Sequence, residues 1–269
     1  MRAIEVLEEV VLTCGELVAS MQEQERGNLL AQDKHEQLGQ HFSTVADRES
    51  LRRGLSILRR SLPHEEIVAE EQKNAARVPP GCTVFDPLDG TTNFFNGSDD
   101  YGVTICTLRR GQPAYGATYF PALKMLISAV RGRGCFIGGF GHGERLTKIP
   151  WHGRLDKTQI GTDVGSWAHS SGSFESVLKP LSRRFNILSA VSAIEGGRRV
   201  LLGQTAAYYS LGIAKIWDAA AMALAVEEAG GVAVSPSGKP LRWGSLEFSW
   251  VLAINPKLAK VVLQHTQQI

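Results

Sequence analysis

Apolar residues near the start of the chain recur at steps of three and four, the spacing of one face of an α-helix. The pattern covers the first two dozen residues and consists of Ile4, Leu7, Val11, Cys14, Val18 and Met21. A second helix is predicted over 47–62, where Thr44 and Asp47 have capping-box spacing and Pro63 marks the end. Its apolar stripe is Leu51, Leu55, Leu58 and Leu62.

Short β-rich runs separated by turn residues follow, and this spacing predicts an antiparallel meander. The runs are 67–69, 83–85, 103–108, 114–119 and 125–130. The glycine-rich segment 132–143 lacks the spacing GxGxxG and therefore predicts a hairpin rather than a nucleotide-binding loop.

After a connector at 151–156, strand-like and helix-like patterns alternate, which indicates a second subdomain. They cover 159–162, 174–181, 185–188, 193–202 and 206–209. A helix is predicted over 217–229 with Gly230-Gly231 as its C-terminal cap. Strands at 232–234 and 250–254 and a helix from Pro256 complete the pattern.

Composition limits the possible partners. The 269 residues are 43% hydrophobic and carry 29 basic and 27 acidic side chains. A formal charge of +2 provides no general field for nucleic acid or membrane. With no apolar run of 18 residues and no secretion signal, a cytoplasmic location is expected. The separated cysteines, Cys14, Cys82, Cys106 and Cys135, are expected to be buried free thiols.

The strongest chemical signal is the segment FDPLDGTTNF at 85–94, where an apolar strand runs into two carboxylates, a glycine and two hydroxyls. Carboxylates this close repel each other, and Mg²⁺, which prefers oxygen ligands, would relieve the repulsion. Gly90 would let the backbone approach a ligand, and a helix starting at Thr91 would turn free N–H groups toward a phosphate. An ordinary Pro-Leu-Asp-Gly turn explains this segment equally well on its own.

Two other segments place acids at the ends of elements: IVAEE at 67–71 ends a strand, and IWDAAA at 216–221 starts a helix. Taken with 85–94, they resemble the signature motifs of the inositol monophosphatase family, in order and spacing: Glu70-Glu71, DPLDGTTNF and WDAAAMALAVEEAGG. The resemblance extends to 43–47 and 133–136 and so covers nearly the whole chain.

This resemblance implies an α+β fold, a layered αβαβα sandwich of the inositol monophosphatase and fructose-1,6-bisphosphatase type. It implies an N-terminal α+β subdomain (1–145) with most metal ligands, and a C-terminal α/β subdomain (146–269) with Asp218 and the substrate-recognition residues. The site is expected in the cleft between them. A homodimer and inhibition by Li⁺ are also expected by resemblance.

The resemblance further implies Mg²⁺-dependent hydrolysis of a small phosphate monoester, with two or three ions per site. The metal ligands would be the carboxylates of Glu70, Asp86, Asp89 and Asp218 and the carbonyl of Leu88. Glu70, Thr91 and Asp89 would be catalytic, with Thr91 beside the attacking water. Backbone donors at Gly90 and Thr91 would hold phosphate oxygens. Asp47 is expected close to the ligands or at a third metal.

Substrate recognition is where the sequence departs from the family pattern. Inositol phosphatases typically carry a glutamate in a YYE-like setting, whereas this chain has Ser210 after two tyrosines. Ser210 cannot make the paired contacts of a carboxylate with a diol. Ser192 and Ala193 are expected to line the pocket or to start a helix. Lys215 would contact a second anionic group of a bisphosphate or be solvated.

Several functional alternatives stay open. Inositol phosphates, 3'-phosphoadenosine 5'-phosphate, fructose 1,6-bisphosphate and histidinol phosphate are all possible substrates. A haloacid-dehalogenase-type phosphatase would use a covalent aspartate in the motif DxDGT, but residues three apart on a regular strand do not share a face. A homologue that binds or regulates without turnover is another class. Serine-hydrolase and zinc-protease motifs do not occur in the sequence.

Overall fold

A computed structural model gives the structure of residues 2–24, 32–33, 42–72, 77–154, 157–163, 172, 174–189, 192–210 and 214–266. The helices are α1 (Arg2–Gln24), α2 (Val45–Ser61), α3 (Thr91–Phe95), α4 (Lys179–Ser182), α5 (Ala193–Leu201), α6 (Ile216–Glu228) and α7 (Pro256–Gln264). A π-helical turn (Phe174–Leu178) directly precedes α4, and a 3₁₀ turn (Pro121–Leu123) lies between two strands.

The strands include the runs predicted as strands and several short ones that the sequence did not predict. They are β1 (Gln32–Asp33), β2 (Phe42–Ser43), β3 (Ile67–Ala69), β4 (Cys82–Asp89), β5 (Gly102–Arg109), β6 (Gln112–Phe120), β7 (Met125–Val130), β8 (Gly134–Ile137), β9 (Glu144–Leu146), β10 (Gln159–Thr162), β11 (Asn186–Ser189), β12 (Ala207–Tyr209), β13 (Ala214–Lys215), β14 (Val232–Val234), β15 (Glu247–Phe248) and β16 (Val251–Ala253).

Helix α2 begins at the predicted capping box. Thr44 Oγ1 accepts the N–H groups of Ala46 and Asp47 at 3.1 and 3.4 Å. Asp47 Oδ2 accepts the N–H of Thr44 at 2.7 Å, so each residue satisfies a donor that a helix start leaves unpaired. The helix ends two residues before Pro63. Local sequence signals therefore determine both ends of this helix.

Strands β3 to β9 form a seven-stranded sheet in sequence order. From β4 to β9 each neighbouring pair is antiparallel, which confirms the meander. The glycine-rich segment forms the turn from β7 into β8 and the connection to β9, as predicted. Strand β3 departs from the prediction because it lies parallel to β4. Its carboxyl end therefore lies beside the carboxyl end of β4.

A second sheet has five strands in the order β11-β10-β12-β16-β14. Strand β10 lies parallel to both β11 and β12, whereas β16 is antiparallel to β12 and β14. The carboxyl ends of β10 and β12 consequently lie side by side. This second sheet forms from the half of the chain where alternating strands and helices were predicted.

The layers alternate between helices and sheets. Helices α1 and α2 pack on one face of the seven-stranded sheet and α6 on the other, while α5 and α7 pack on the five-stranded sheet. Helix α6 also contacts α5, so these two helices form the middle layer. Gly116 lets α6 approach β6 closely, since a Cβ there would lie 3.1 Å from Ala221 Cα. The predicted αβαβα order is confirmed.

The packing also tests smaller predictions. The four cysteines are buried free thiols, as expected. Gly230, with φ 86°, follows the end of α6 in the left-handed conformation, as a C-terminal cap requires. Among the described residues, no helix combines the length and apolarity needed to span a bilayer. One buried apolar cluster includes Val84 and Leu252 from the two sheets, and the division near residue 145 stays a prediction.

Candidate active site

Three carboxylates from distant parts of the chain meet at the carboxyl ends of β3 and β4. Glu70 follows β3, Asp86 lies in β4, and Asp218 is in the first turn of α6. One carboxylate oxygen of each lies within 4.8 Å of the other two. The N–H of Glu70 donates to the carbonyl of Phe85 at 3.0 Å, which continues the parallel pairing and holds Glu70 beside Asp86. The structure thus joins the three sequence motifs.

A β-bulge in β4 turns Asp86 and Asp89 toward the same face. Asp86 pairs with Thr104 and Asp89 with Gly102, so β4 uses one residue more than β5 over this stretch. Because Thr104 and Gly102 are two apart on their strand, they share a face, and their partners share it too. Pro87, which has no N–H for a ladder, lies inside the bulge. Residues three apart on a regular strand do not share a face, but the bulge places Asp86 and Asp89 on the same one.

Asp89 joins this carboxylate cluster to the second half of the chain. Its carboxylate accepts hydrogen bonds from the hydroxyl of Ser192 and from the N–H groups of Ala193 and Ile194. These donors form the first turn of α5, where a helix favours negative charge. Asp89 is 6% exposed, so these bonds replace water that the buried group has lost.

Burial makes the negative charge of the carboxylate cluster unfavourable. Burial raises the pKa of Asp86 and of Asp218 well above the ordinary value, and the neighbouring carboxylates of Glu70 and Asp89 raise it further. Burial likewise raises the pKa of Asp89 to about 7, against the bonds from Ser192 and the start of α5. Such a set must bind protons or cations, and its hard oxygen donors suit a divalent cation such as Mg²⁺.

Thr91 is held by two acceptors beside the carboxylate cluster. Its Oγ1 lies 3.1 Å from Asp47 Oδ1 and 3.1 Å from the carbonyl of Leu88. Asp47 is 1% exposed, and its second oxygen accepts from Thr44. Asp47, the third residue of α2, therefore completes the capping box and also orients Thr91, and a role for Asp47 at a third metal stays a prediction.

Gly90 connects β4 to α3 in a conformation that needs glycine. Its φ is 83°, and a Cβ there would lie 2.8 Å from the carbonyl oxygen of Asp100 and 3.2 Å from Ser192 Cβ. Neither a side chain nor an ordinary φ therefore fits this position. The close approach packs the DGTT segment against the loop after α3 and the start of α5.

We expect Gly90→Ala to lower the free energy of unfolding by about 2–4 kcal/mol, since left-handed strain adds to a contact with rigid backbone. Gly132→Ala is the matched control because Gly132 has φ 73° but, beyond its chain neighbours, no heavy atom of the described residues lies within 4 Å of the point that its Cβ would occupy. That control should cost only about 1–2 kcal/mol. Urea unfolding of both variants measures the difference, and equal losses would show that the contact with Asp100 is unimportant.

Ser192 and Ala193 lie at the start of α5. Ser192 is 3% exposed and caps the helix by accepting the N–H of Glu195 at 3.2 Å, while its hydroxyl hydrogen goes to Asp89. Ala193 is partly exposed. The expected helix start is thus present, and contact of these two residues with substrate stays a prediction.

Ser210 and Lys215 bear on the choice of substrate. Ser210 is 1% exposed, and its hydroxyl donates to Asp163 Oδ2 at 3.3 Å. Lys215 is partly exposed, and its ammonium group forms an ion pair with Glu247. Its N–H donates to Asp218 Oδ2 at 2.8 Å. Because Glu247 already neutralises Lys215, contact with a second phosphate would require exchange of this pair.

An ionic network in α5 was not predicted from the sequence. Glu195 is fully buried and accepts two hydrogen bonds of 2.6 Å from Arg198. Arg199 Nε lies 2.6 Å from the same carboxylate, and Arg199 reaches Asp100 at 3.6 Å. Acids and bases three and four apart on a helix usually indicate a solvated face, so the sequence carried no signal for this burial.

Comparison with known proteins supports the family assignment. The model of the inositol monophosphatase family matches residues 2–269. A putative Nus factor SuhB of Neisseria meningitidis is 27% identical over 88% of this chain and 89% of the relative. A fructose-1,6-bisphosphatase/inositol-1-monophosphatase of Thermotoga maritima is 29% identical over 84% of each chain. The crystal structure of extragenic suppressor protein suhB from Bartonella henselae has a TM-score of 0.87 at 22% identity, covering 100% of this chain and 99% of that chain.

Proposed function

Because the chain belongs to the inositol monophosphatase family, we propose that it is a Mg²⁺-dependent phosphatase that hydrolyses a phosphate monoester of a small molecule. One observation carries the proposal: Glu70, Asp86 and Asp218 converge with oxygens within 4.8 Å. Asp89 is close enough to raise the pKa of Asp86 and Asp218. Asp86 and Asp89 are buried and Glu70 and Asp218 are half-buried, and this much negative charge in one place requires neutralisation by cations or protons.

The donor set fits the proposed metal. Glu70, Asp86, Asp89 and Asp218, with the carbonyl of Leu88, would hold Mg²⁺ ions, two or three by family resemblance. Mg²⁺ bound there supplies Lewis acidity toward water and toward phosphate oxygens. Inhibition by Li⁺ and a homodimer are proposals on the same resemblance.

The residues around this set have separate roles in the proposed reaction. Asp47 takes the hydroxyl hydrogen of Thr91, which leaves a lone pair of Thr91 to orient the attacking water. Glu70 would accept the proton that the water loses as its oxygen attacks phosphorus. The bond between phosphorus and the alcohol oxygen would break in the same step, and the alkoxide that leaves would take a proton from water. Backbone N–H groups at Gly90 and Thr91 bind phosphate oxygens. Asp89, fixed by Ser192, keeps the β4 end aligned with α5.

Phosphate release from purified protein tests the proposal. The panel is inositol 1-phosphate, 3'-phosphoadenosine 5'-phosphate, fructose 1,6-bisphosphate, histidinol phosphate and p-nitrophenyl phosphate, each with Mg²⁺ and with EDTA. We expect release from at least one substrate with Mg²⁺ and a return to the uncatalysed rate with EDTA. Release that EDTA leaves unchanged would contradict the metal-dependent mechanism.

The rival covalent mechanism predicts a phosphorylated protein intermediate, which water then hydrolyses to phosphate with the same ¹⁸O label. Direct attack by water puts one ¹⁸O from H₂¹⁸O into each phosphate in a single turnover, with no phosphorylated protein. A covalent mechanism would transfer the phosphoryl group to Asp86 first. We expect acid-quenched single turnovers to give labelled phosphate and unmodified Asp86-containing peptide by mass spectrometry. A phosphoaspartate that forms and decays at the rate of turnover would support the rival.

A non-catalytic binding function is the second candidate, because a relative carries the name Nus factor rather than an enzyme name. Under that alternative the protein would bind Mg²⁺ without releasing phosphate from any member of the panel. The complete acidic set and the oriented Thr91 favour turnover, since binding alone does not require an oriented hydroxyl.

A further inference from the structure

The β-bulge of β4 contains one peptide unit that side chains hold at both ends. The carbonyl of Pro87 accepts a hydrogen bond of 2.7 Å from the hydroxyl of Ser50, which lies in α2. The N–H of Leu88, at the other end of the same unit, donates to Asp86 Oδ1 at 2.9 Å. Because a peptide unit is rigid and planar, the two bonds fix its rotation together. Ser50 is therefore linked to the carboxylate of Asp86 through one rigid group.

The bulge explains why side chains are needed here. Pro87 and Leu88 lie between the last two paired positions of β4 and have no partner residue on β5. Buried backbone groups that leave a ladder must form their hydrogen bonds elsewhere. Ser50 donates to the Pro87 carbonyl, and Thr91 Oγ1 lies 3.1 Å from the Leu88 carbonyl. The Leu88 carbonyl, a proposed metal ligand, belongs to the next peptide unit, so its direction also depends on the unit that Ser50 holds.

The packing of α2 holds Ser50 firmly beside the bulge. Ser50 is fully buried, and spacings of three and four residues place Asp47, Ser50 and Gly54 on one face of α2. A Cβ on Gly54 would lie 2.6 Å from the ring of Phe85, so the helix lies directly against β4 before the bulge. Asp47 contacts Thr91 Oγ1 at 3.1 Å after the bulge. Contacts on both sides thus fix the position from which Ser50 donates.

We propose that Ser50 is a positioning residue for the Mg²⁺ site and that it acts through the peptide unit between Pro87 and Leu88. This inference rests on the proposed function. The hydroxyl fixes the peptide unit, and the N–H of this unit fixes the rotation of the Asp86 carboxylate, whose second oxygen can bind a cation. Removal of a group that orients a metal ligand typically costs about 10- to 100-fold in metal affinity or activity.

Calorimetric titration with Mg²⁺ alone tests this role in Ser50→Ala and in the unchanged chain. We expect the Kd for Mg²⁺ to be about tenfold higher in Ser50→Ala, because the Pro87 carbonyl loses its donor and the peptide unit can rotate. In phosphate release, the Mg²⁺ concentration for half-maximal activity should rise by the same factor. The value of kcat at saturating Mg²⁺ should stay within about threefold, since the cation then restores the arrangement of its ligands.

Thr107→Val is the matched control. Thr107 is fully buried, and its hydroxyl lies 2.8 Å from that of Thr83, in the same pair of strands but farther from the bulge. Each substitution removes one buried hydroxyl bond and should lower Tm in EDTA by about 2–6 °C. Only Ser50→Ala should weaken Mg²⁺ binding. An unchanged Kd in Ser50→Ala, or an equal increase in both variants, would overturn the positioning role.

Ser50→Cys provides the result if Ser50→Ala does not fold. Its thiol is a weak donor of similar size, so we expect a Kd for Mg²⁺ about threefold higher than that of the unchanged chain. An unchanged Kd in this variant would then overturn the role of Ser50. Calorimetry does not depend on turnover, so a chain that binds Mg²⁺ but releases no phosphate would contradict the proposed function while the comparison of variants still decides the role of Ser50. An unchanged chain that binds no Mg²⁺ would overturn both.

Discussion

Asp89→Asn is expected to lower kcat for phosphate release by about 10³-fold or more, because it removes a charge from the proposed metal site. It also mismatches the start of α5: the carboxylate accepts from Ser192 and two backbone N–H groups, whereas an amide NH₂ group cannot accept. Phosphate release under saturating Mg²⁺ and substrate gives the measurement. The fold should persist, since the substitution relieves like-charge repulsion.

Asp99→Asn is the matched control for this variant. Asp99 is an exposed acid in the loop after α3, a short distance along the same segment. It should retain turnover within about twofold, as surface substitutions usually do. Near-normal turnover of Asp89→Asn would show that Asp89 does not belong to the proposed metal site, and it would contradict the assigned mechanism.

Metal-free protein is expected to lose stability as the pH rises from 5 to 8. Burial raises the folded-state pKa of Asp89 from 3.8 to about 7, and the pKa values of Asp86 and Asp218 rise in the same direction. Between pH 4 and 7 the folded protein therefore binds more protons than the unfolded chain, and the free energy of unfolding falls with rising pH. The loss should be on the order of a few kcal/mol.

Thermal unfolding in EDTA and in Mg²⁺ at several pH values measures this effect. Mg²⁺ should restore stability at pH 8 and have little effect at pH 5, where protons already neutralise the cluster. In EDTA, Asp89→Asn should weaken the pH dependence because one titrating group is gone. Stability in EDTA that stays level or increases between pH 5 and 8 would contradict the buried-charge description.

The sequence predicted most of what depends on local signals. Periodicity and the Thr44–Asp47 box gave α2, and the turn residues gave the meander. The acids Glu70, Asp86 and Asp218 were identified because each lies in a motif that a family resemblance joins, and the structure brings them together. The helix and the meander were predictable because nearby residues determine them, whereas the three acids were identified through the resemblance of their motifs and not through a local signal.

Contacts between distant parts of the chain determine the features that the sequence did not predict. The parallel pairing of β3 with β4 and the bulge that turns Asp89 toward Asp86 depend on neighbouring strands, not on local pattern. Glu195 has the spacing of a solvated helix residue but is buried between two arginines. Asp163 meets Ser210 only because β10 pairs with β12.

The position of α6 also implies that the acidic set can be completed only late in synthesis. This helix carries Asp218, yet packs on the sheet built much earlier in the chain. A nascent polypeptide that has completed the meander still lacks one member of the acidic set until the ribosome has released α6. Binding of the metal should therefore be one of the last steps of folding. A fragment that ends at residue 210 should not bind the metal until a peptide containing α6 is added.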